Sequence, residues 1–139
     1  MYTSPGEVAG SSSVCGLYII ADPDQVVELE FLDFDVACGN GGLVSVIDGW
    51  EMNGQFFPGA DDHAKPRHNR YREYCGIRVP MYKFTASQNV GLIEFRIPEP
   101  GDGFMVRVRF RDNPFRKFTF IQFNHFDQVL HSFNKCHLR

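Results

Sequence analysis

The sequence predicts an all-β fold, an antiparallel jelly-roll β-sandwich, and three observations predict it. Apolar residues recur at every second position in several runs, which is the period of a strand with one face on a core. Clusters of Gly, Pro, Asp and Asn separate those runs at short intervals. The apolar residues are rich in aromatic and β-branched types, with 14 Phe, 5 Tyr and one Trp in 139 residues, and these suit a pleated, half-buried surface.

The elements follow in order. Residues 16–21 form a short apolar run that reads as a fully buried strand. After the turn Asp22-Pro23-Asp24, Val27, Leu29 and Phe31 share one face while Val26, Glu28, Glu30 and Leu32 share the other. A second tight reversal, Gly39-Asn40-Gly41-Gly42, precedes the run 43–47, which also reads as buried and ends at Asp48-Gly49. Residues 53–72 are polar, carry Pro58, Gly59 and Pro66, and read as a long excursion. Gly91, Ile93, Phe95 and Ile97 alternate again. Beyond the turn at 98–103, Phe104, Val106, Val108 and Phe110 oppose Met105, Arg107, Arg109 and Arg111. Several short strands with turn signals at this density fit a sandwich. No convincing amphipathic helix precedes Arg116, and there is no internal repeat. Residues 116–139 crowd Phe and His in a pattern neither of period 2 nor of 3.6. Residues 117–123 could supply one more strand, and the rest stays unassigned.

Composition bounds the function. The length suits one domain. A formal charge of −3 gives no basic surface for nucleic acid and no polybasic anchor for a membrane. No run reaches the roughly 18 consecutive apolar residues of a membrane span. The first 14 residues lack the basic and apolar regions of a signal peptide, which leaves either a cytosolic protein or a fragment whose export signal lies upstream. The four cysteines, Cys15, Cys38, Cys75 and Cys136, form no C-x-x-C pair, which argues against a zinc knuckle or a redox motif. Their wide spacing suits disulfides in an oxidising compartment; four buried thiols are the alternative, and spacing alone does not decide.

One set of residues carries a resemblance. Phe34-Asp35-Val36-Ala37-Cys38, followed by the run 42–47 and Asp48-Gly49-Trp50, resembles the heart of a CUB domain. The joint spacing of Asp48-Gly49-Trp50, Gly54, Phe57-Pro58, Asp62-His63, Arg70-Tyr71 and Cys75 is narrower. With Ser87-Gln88-Asn89-Val90, Phe95-Arg96 and the run 99–104, it is similar to the corticotropin-releasing factor-binding protein family. The similarity covers roughly residues 2–115. It implies a CUB-like domain over 1–115 with its first strand incomplete, and a tail, 116–139, that matches nothing in the family and is expected to be non-native. On this pattern the upstream and downstream parts of the protein are missing, as in a partial gene product. The resemblance further implies a secreted, extracellular protein that holds a helical peptide hormone of the corticotropin-releasing factor type and limits receptor activation. It pairs Cys38 with Cys75, and Cys15 with a cysteine upstream of Met1. The common CUB pattern would join Cys15 to Cys38 instead; the closer family match favours Cys38–Cys75.

Site candidates divide into chemistry and recognition. Calcium binding would draw on Glu30, Asp33 and Asp35, but the carboxylate that a CUB calcium site adds after the strand-ending cysteine is Gly42 here, and the ion needs six to eight oxygens. Solvated turn carboxylates are the preferred reading. His63, His68, His125, His131 and His137 offer no tetrahedral set by spacing, so no metal and no cofactor are expected. There is no nucleophile elbow, no His-Glu-x-x-His and no phosphate loop, and Asp61-Asp62-His63 reads as a hydrated loop, so the chain is expected not to be an enzyme. For recognition, the row Arg107, Arg109, Arg111 could engage ligand carboxylates, or pair across strands with Glu94 or Glu28. Trp50, Phe56 and Phe57 could anchor an amphipathic helix, or plug the end of the sandwich. A generic extracellular CUB interaction module with no hormone ligand is the alternative function, and a carbohydrate-active jelly roll a third. No N-x-S/T sequon occurs.

Overall fold

The computed structural model describes residues 14–114 in full and 126–133 as backbone. Two antiparallel four-stranded sheets carry the fold. The front sheet has the order β1 (Cys15–Ile20), β8 (Val90–Arg96), β3 (Leu43–Asp48), β6 (Tyr71–Tyr74). The back sheet runs β10 (Phe126–Phe133), β9 (Gly103–Asp112), β2 (Gln25–Asp35), β7 (Phe84–Thr85). A small hairpin, β4 (Trp50–Met52) with β5 (Gln55–Phe57), stands apart from both.

The alternation read from the sequence sets the inner faces. Val27, Leu29, Phe31, Val106 and Val108 from the back sheet meet Ile19, Val44, Val46, Ile93 and Ile97 from the front sheet in one core. Phe95 and Phe104 pack edge-to-face across the interlayer at 5.3 Å, and Tyr74 meets Phe31 at 6.1 Å. Phe34 belongs to the core as well, although strict period two from Phe31 would turn it outward. A register shift between Phe31 and Asp33 opposite β9 supplies the extra residue, and a bulge of this kind re-aims every later side chain.

Residues 16–21 were expected to be a fully buried strand. They form β1, an edge strand whose Ile20 is 61% exposed, because β8 pairs with it along one side only. The run 43–47 is indeed central, between β8 and β6. The excursion 53–72 contains the second hairpin strand and two single turns of 3₁₀ helix, Ala60–Asp62 and Arg67–Asn69. At the far end of the chain, β10 pairs along β9 from Phe126 to Phe133, a strand that its irregular pattern does not announce. Residues 117–123 lie outside the described residues.

Cys38 and Cys75 form a disulfide with Cα atoms 5.2 Å apart. Beside it, Val36 and Gly76 exchange two backbone hydrogen bonds of 3.0 and 2.6 Å, so the end of β2 is clasped to the end of β6. In the chain-entropy picture, closing this 37-residue separation stabilises the fold by about 4 kcal/mol. Cys15 is disulfide-bonded too.

Candidate functional site

The site begins with a buried ion cluster at one end of the front sheet. Asp48 closes β3 and is 1% exposed. Its Oδ1 accepts the Ser87 N–H at 2.8 Å, and its Oδ2 accepts the Ser87 hydroxyl at 2.7 Å and sits 2.9 Å from the Lys65 ammonium. Burial raises the Asp48 pKa, but the Ser87 and Lys65 contacts outweigh it and hold the carboxyl below its ordinary value. His63, also fully buried, faces Oδ1 at 3.3 Å. Its Nδ1 accepts the Lys65 backbone N–H at 3.0 Å, which leaves the ring proton on Nε2.

Arg70 lies alongside, 1% exposed. Its Nε donates to the Asp48 carbonyl at 3.0 Å and a second nitrogen donates to the Pro58 carbonyl at 2.8 Å. The guanidinium carbon stands 5.2 Å from the centre of the Phe56 ring. Gly49 makes this approach possible. Its φ is +111°, and a Cβ there would lie 2.4 Å from the Arg70 guanidinium and 2.5 Å from the Phe57 carbonyl. Only glycine satisfies both demands. Burying an Arg for these contacts ties the excursion and the β4–β5 hairpin to the sheet.

The hairpin then lies against the outer face of the front sheet, and its two faces do different things. Trp50 and Phe57 pair on one face, with ring centres 6.2 Å apart. The Trp50 indole N–H donates to the Gly91 carbonyl at 2.9 Å and its ring meets Tyr18 edge-on at 5.5 Å. Trp50 is partly buried, whereas Phe57 is 60% exposed. Glu51 and Phe56 pair on the other face. Phe56 is half-buried between the guanidinium groups of Arg67, at 4.7 Å, and Arg70.

Under that second face opens a groove of about 440 Å³. Its floor is the outer surface of three strands, with Glu94 on β8, Ser45 and Ile47 on β3, and Tyr71 and Glu73 on β6. The register places Glu94, Ser45 and Glu73 in one row across the sheet. Its roof is Glu51, Phe56 and Arg67. Glu94 is partly buried and hydrogen-bonds to Glu51. Burial, and then that hydrogen bond and the repulsion between the two carboxyls, raise its pKa to about 7. Among the described residues, no Lys or Arg forms a salt bridge with Glu51, Glu73 or Glu94. Arg67 is engaged elsewhere, donating to the Gly54 carbonyl at 2.7 Å.

The cationic row Arg107, Arg109, Arg111 lies on the outer face of the back sheet, away from the groove. Arg107 meets Glu30 at 3.4 Å, and Arg111 pairs with Glu28, which also meets Lys83 at 3.3 Å. Burial raises the Glu28 pKa, and Arg111 and Lys83 more than reverse it. The cross-strand partners of the row are therefore Glu28 and Glu30; Glu94 belongs to the other sheet. Of the calcium candidates, Glu30 serves Arg107 and Asp33 accepts the Phe34 N–H at 2.9 Å. Among the described residues no three His, Cys, Asp or Glu side chains converge as a metal set. Asp61 and Asp62 are exposed while His63 is buried against Asp48, so these three do not converge. His68 is exposed on its 3₁₀ turn; His125, His131, His137 and Cys136 have no described side chains. No helix is long and apolar enough to cross a membrane among the described residues.

The groove carboxylates were not singled out in advance. Alternation in 91–97 does turn Glu94 away from the core, but Glu51 and Glu73 reach it only through the hairpin and the β3–β6 pairing.

Residues 8–112 match the family described as corticotropin-releasing factor binding protein N-terminal domain. Corticotropin-releasing factor-binding proteins of Rattus norvegicus, Ovis aries and Homo sapiens are 33%, 34% and 32% identical to the chain over 101 residues. That stretch is 73% of this chain and 31% of each relative, so the match spans about a third of their length.

Proposed function

Because the chain belongs to the corticotropin-releasing factor-binding protein family, through its N-terminal domain, we propose that it serves a secreted binder of a peptide hormone of the corticotropin-releasing factor type. The mechanism is sequestration: a peptide helix is held at the surface, and the free concentration that reaches a receptor falls. No bond is made or broken. The observation that carries this reading is the extent of the match, 8–112, which takes in the front sheet, the hairpin, the groove and every strand of the back sheet but β10. The Cys38–Cys75 disulfide supports an extracellular setting, and the sandwich is of the CUB type that the motif around Asp48-Gly49-Trp50 resembles.

Within this reading, Phe57 and Phe56 are the apolar contacts for the peptide, and Trp50 is the wall behind them. The Arg107, Arg109, Arg111 row lies across the sandwich, beyond the reach of a helix seated at the hairpin, and contributes contacts only to a ligand that wraps the domain. The test is a pull-down of corticotropin-releasing factor on the immobilised 139-residue chain, with a full-length relative as positive control and a scrambled peptide as negative. Capture of the hormone and not the scramble supports the reading. Capture by the relative alone assigns binding to parts beyond this domain. If neither protein distinguishes the hormone from the scramble, the domain is a generic extracellular interaction module.

A further inference from the structure

We propose that the groove between the β4–β5 hairpin and the front sheet is a receptor for one guanidinium or ammonium group, an Arg or Lys side chain carried by a peptide. The identity of the carrier rests on the peptide-binding reading above; the chemistry of the site does not.

Charge complementarity carries the argument. Glu51, Glu73 and Glu94 line one groove, and the described cations leave them unneutralised. Elsewhere in the fold three carboxylates meet cations: Asp48 has Lys65, Glu28 has Lys83 and Arg111, and Glu30 has Arg107. The groove brings three carboxylates together with no such pair among the described residues. Its only basic lining residue, Arg67, spends one nitrogen on the Gly54 carbonyl and its face on Phe56.

The shape agrees. Tyr71 and Phe56, with ring centres 6.4 Å apart, give apolar walls along which the methylene stem of a long cationic side chain can lie. A volume of about 440 Å³ admits such a chain and excludes a whole helix. The peptide therefore lies across the rim and sends one side chain down to the carboxylates. Ser45, between Glu94 and Glu73 in the row, adds a hydroxyl acceptor at the floor.

The groups facing Glu94 set the proton traffic. From the hairpin comes Glu51, from β6 Glu73 and Tyr71, from the excursion Arg67, and from β1 Tyr18, whose hydroxyl donates to the Glu51 carbonyl at 3.3 Å. On β8 itself, Arg96 shares the face but lies beside Gly41 and Leu43 at the other end. With an empty groove, Glu94 is about half protonated at neutral pH. An incoming cation favours the ionised form, so binding expels that proton, and acid opposes binding.

The probe is N-acetyl-arginine methylamide, titrated into the ¹⁵N-labelled chain, with the uncharged N-acetyl-norleucine methylamide as control. Amide shifts are expected at Ser45, Glu51, Tyr71, Glu73 and Glu94 for the arginine probe alone. The apparent Kd should weaken about tenfold between about pH 8 and about pH 5.5, the change expected for one linked proton. Glu94→Gln should remove that pH dependence. Glu73→Gln, at an exposed position, should weaken binding about threefold and keep it. Shifts elsewhere, equal shifts with the norleucine probe, or an unchanged pH profile in Glu94→Gln overturn the proposal. A groove that takes the arginine probe in a chain that ignores the hormone leaves this inference standing and removes the hormone. Hormone binding that is indifferent to both glutamine variants, with no arginine site, does the reverse.

Discussion

The two outer faces of the sandwich handle charge in opposite ways. On the back face, carboxylates and guanidiniums alternate across neighbouring strands, with Glu30 against Arg107 and Glu28 between Arg111 and Lys83. On the front face, Glu94, Glu51 and Glu73 gather under a hairpin with no cation assigned to them. A strand pair that neutralises itself has little electrostatic need of a ligand. A partly buried carboxyl that stays half protonated is held in reserve for one. The difference separates a face that maintains the fold from a face that is available for recognition.

The largest effect should come from Arg70, which anchors the roof of the front face. Arg70→Met removes a guanidinium that is 1% exposed and leaves the Asp48 and Pro58 carbonyls without their donors. Urea unfolding should show a loss of about 3–5 kcal/mol, and an unchanged midpoint would mean that the hairpin is held by Trp50 alone. Next comes the back face. Glu28 is 5% exposed, and Glu28→Gln strips two cations of their partner at a cost of about 1–3 kcal/mol. Its folded pKa lies below its unfolded value, so the stability it supplies is present above the unfolded pKa of 4.5 and disappears as pH falls through the folded one. The variant should therefore converge with the parent in acid.

Glu94→Gln should act with the opposite sign. The folded pKa of about 7 exceeds the unfolded 4.5, so ionising Glu94 costs stability as pH rises between those values. The variant should gain about 1–2 kcal/mol near pH 8 and nothing below about pH 4.5, measured by thermal melts across pH. Loss of stability at high pH would show that the carboxylate already has a cation and would break the comparison between the faces. The smallest effect belongs to Arg107→Ala. Its pair with Glu30 is about one-third exposed on both sides, and double-mutant cycles should give about 0.2–1 kcal/mol, shrinking in high salt.

The sequence made most of the sandwich legible for a simple reason. Val27, Leu29 and Phe31 or Ile93, Phe95 and Ile97 record their own orientation in local alternation, because a strand's two faces see different solvents. The bulge that returns Phe34 to the core is less visible, since it depends on pairing with β9. The front groove was not visible at all. Glu51, Glu73 and Glu94 are far apart in sequence, and only the placement of the hairpin brings them together. Burial of Arg70 was hidden similarly: an Arg in a polar stretch looks solvated until Gly49, a backbone position where no other residue fits, clears the space above it. The Asp48-Gly49-Trp50 motif was noticed for its resemblance; its physical content is a buried acceptor, a clearance and an indole donor.

The disulfide that joins Cys38 to Cys75 has a topological consequence. The covalent ring it closes contains β3, the hairpin, three 3₁₀ turns and β6, and so contributes the roof of the groove and most of its floor; of the groove's lining residues, Glu94 alone comes from outside. Exposed positions of that ring, such as Gln55 and Asp61, can be exchanged while Pro58, His63 and Lys65 keep it tied to Arg70 and Asp48. The ring is thus a cassette, in which ligand preference can diverge between related chains while the strands that build the core stay as they are.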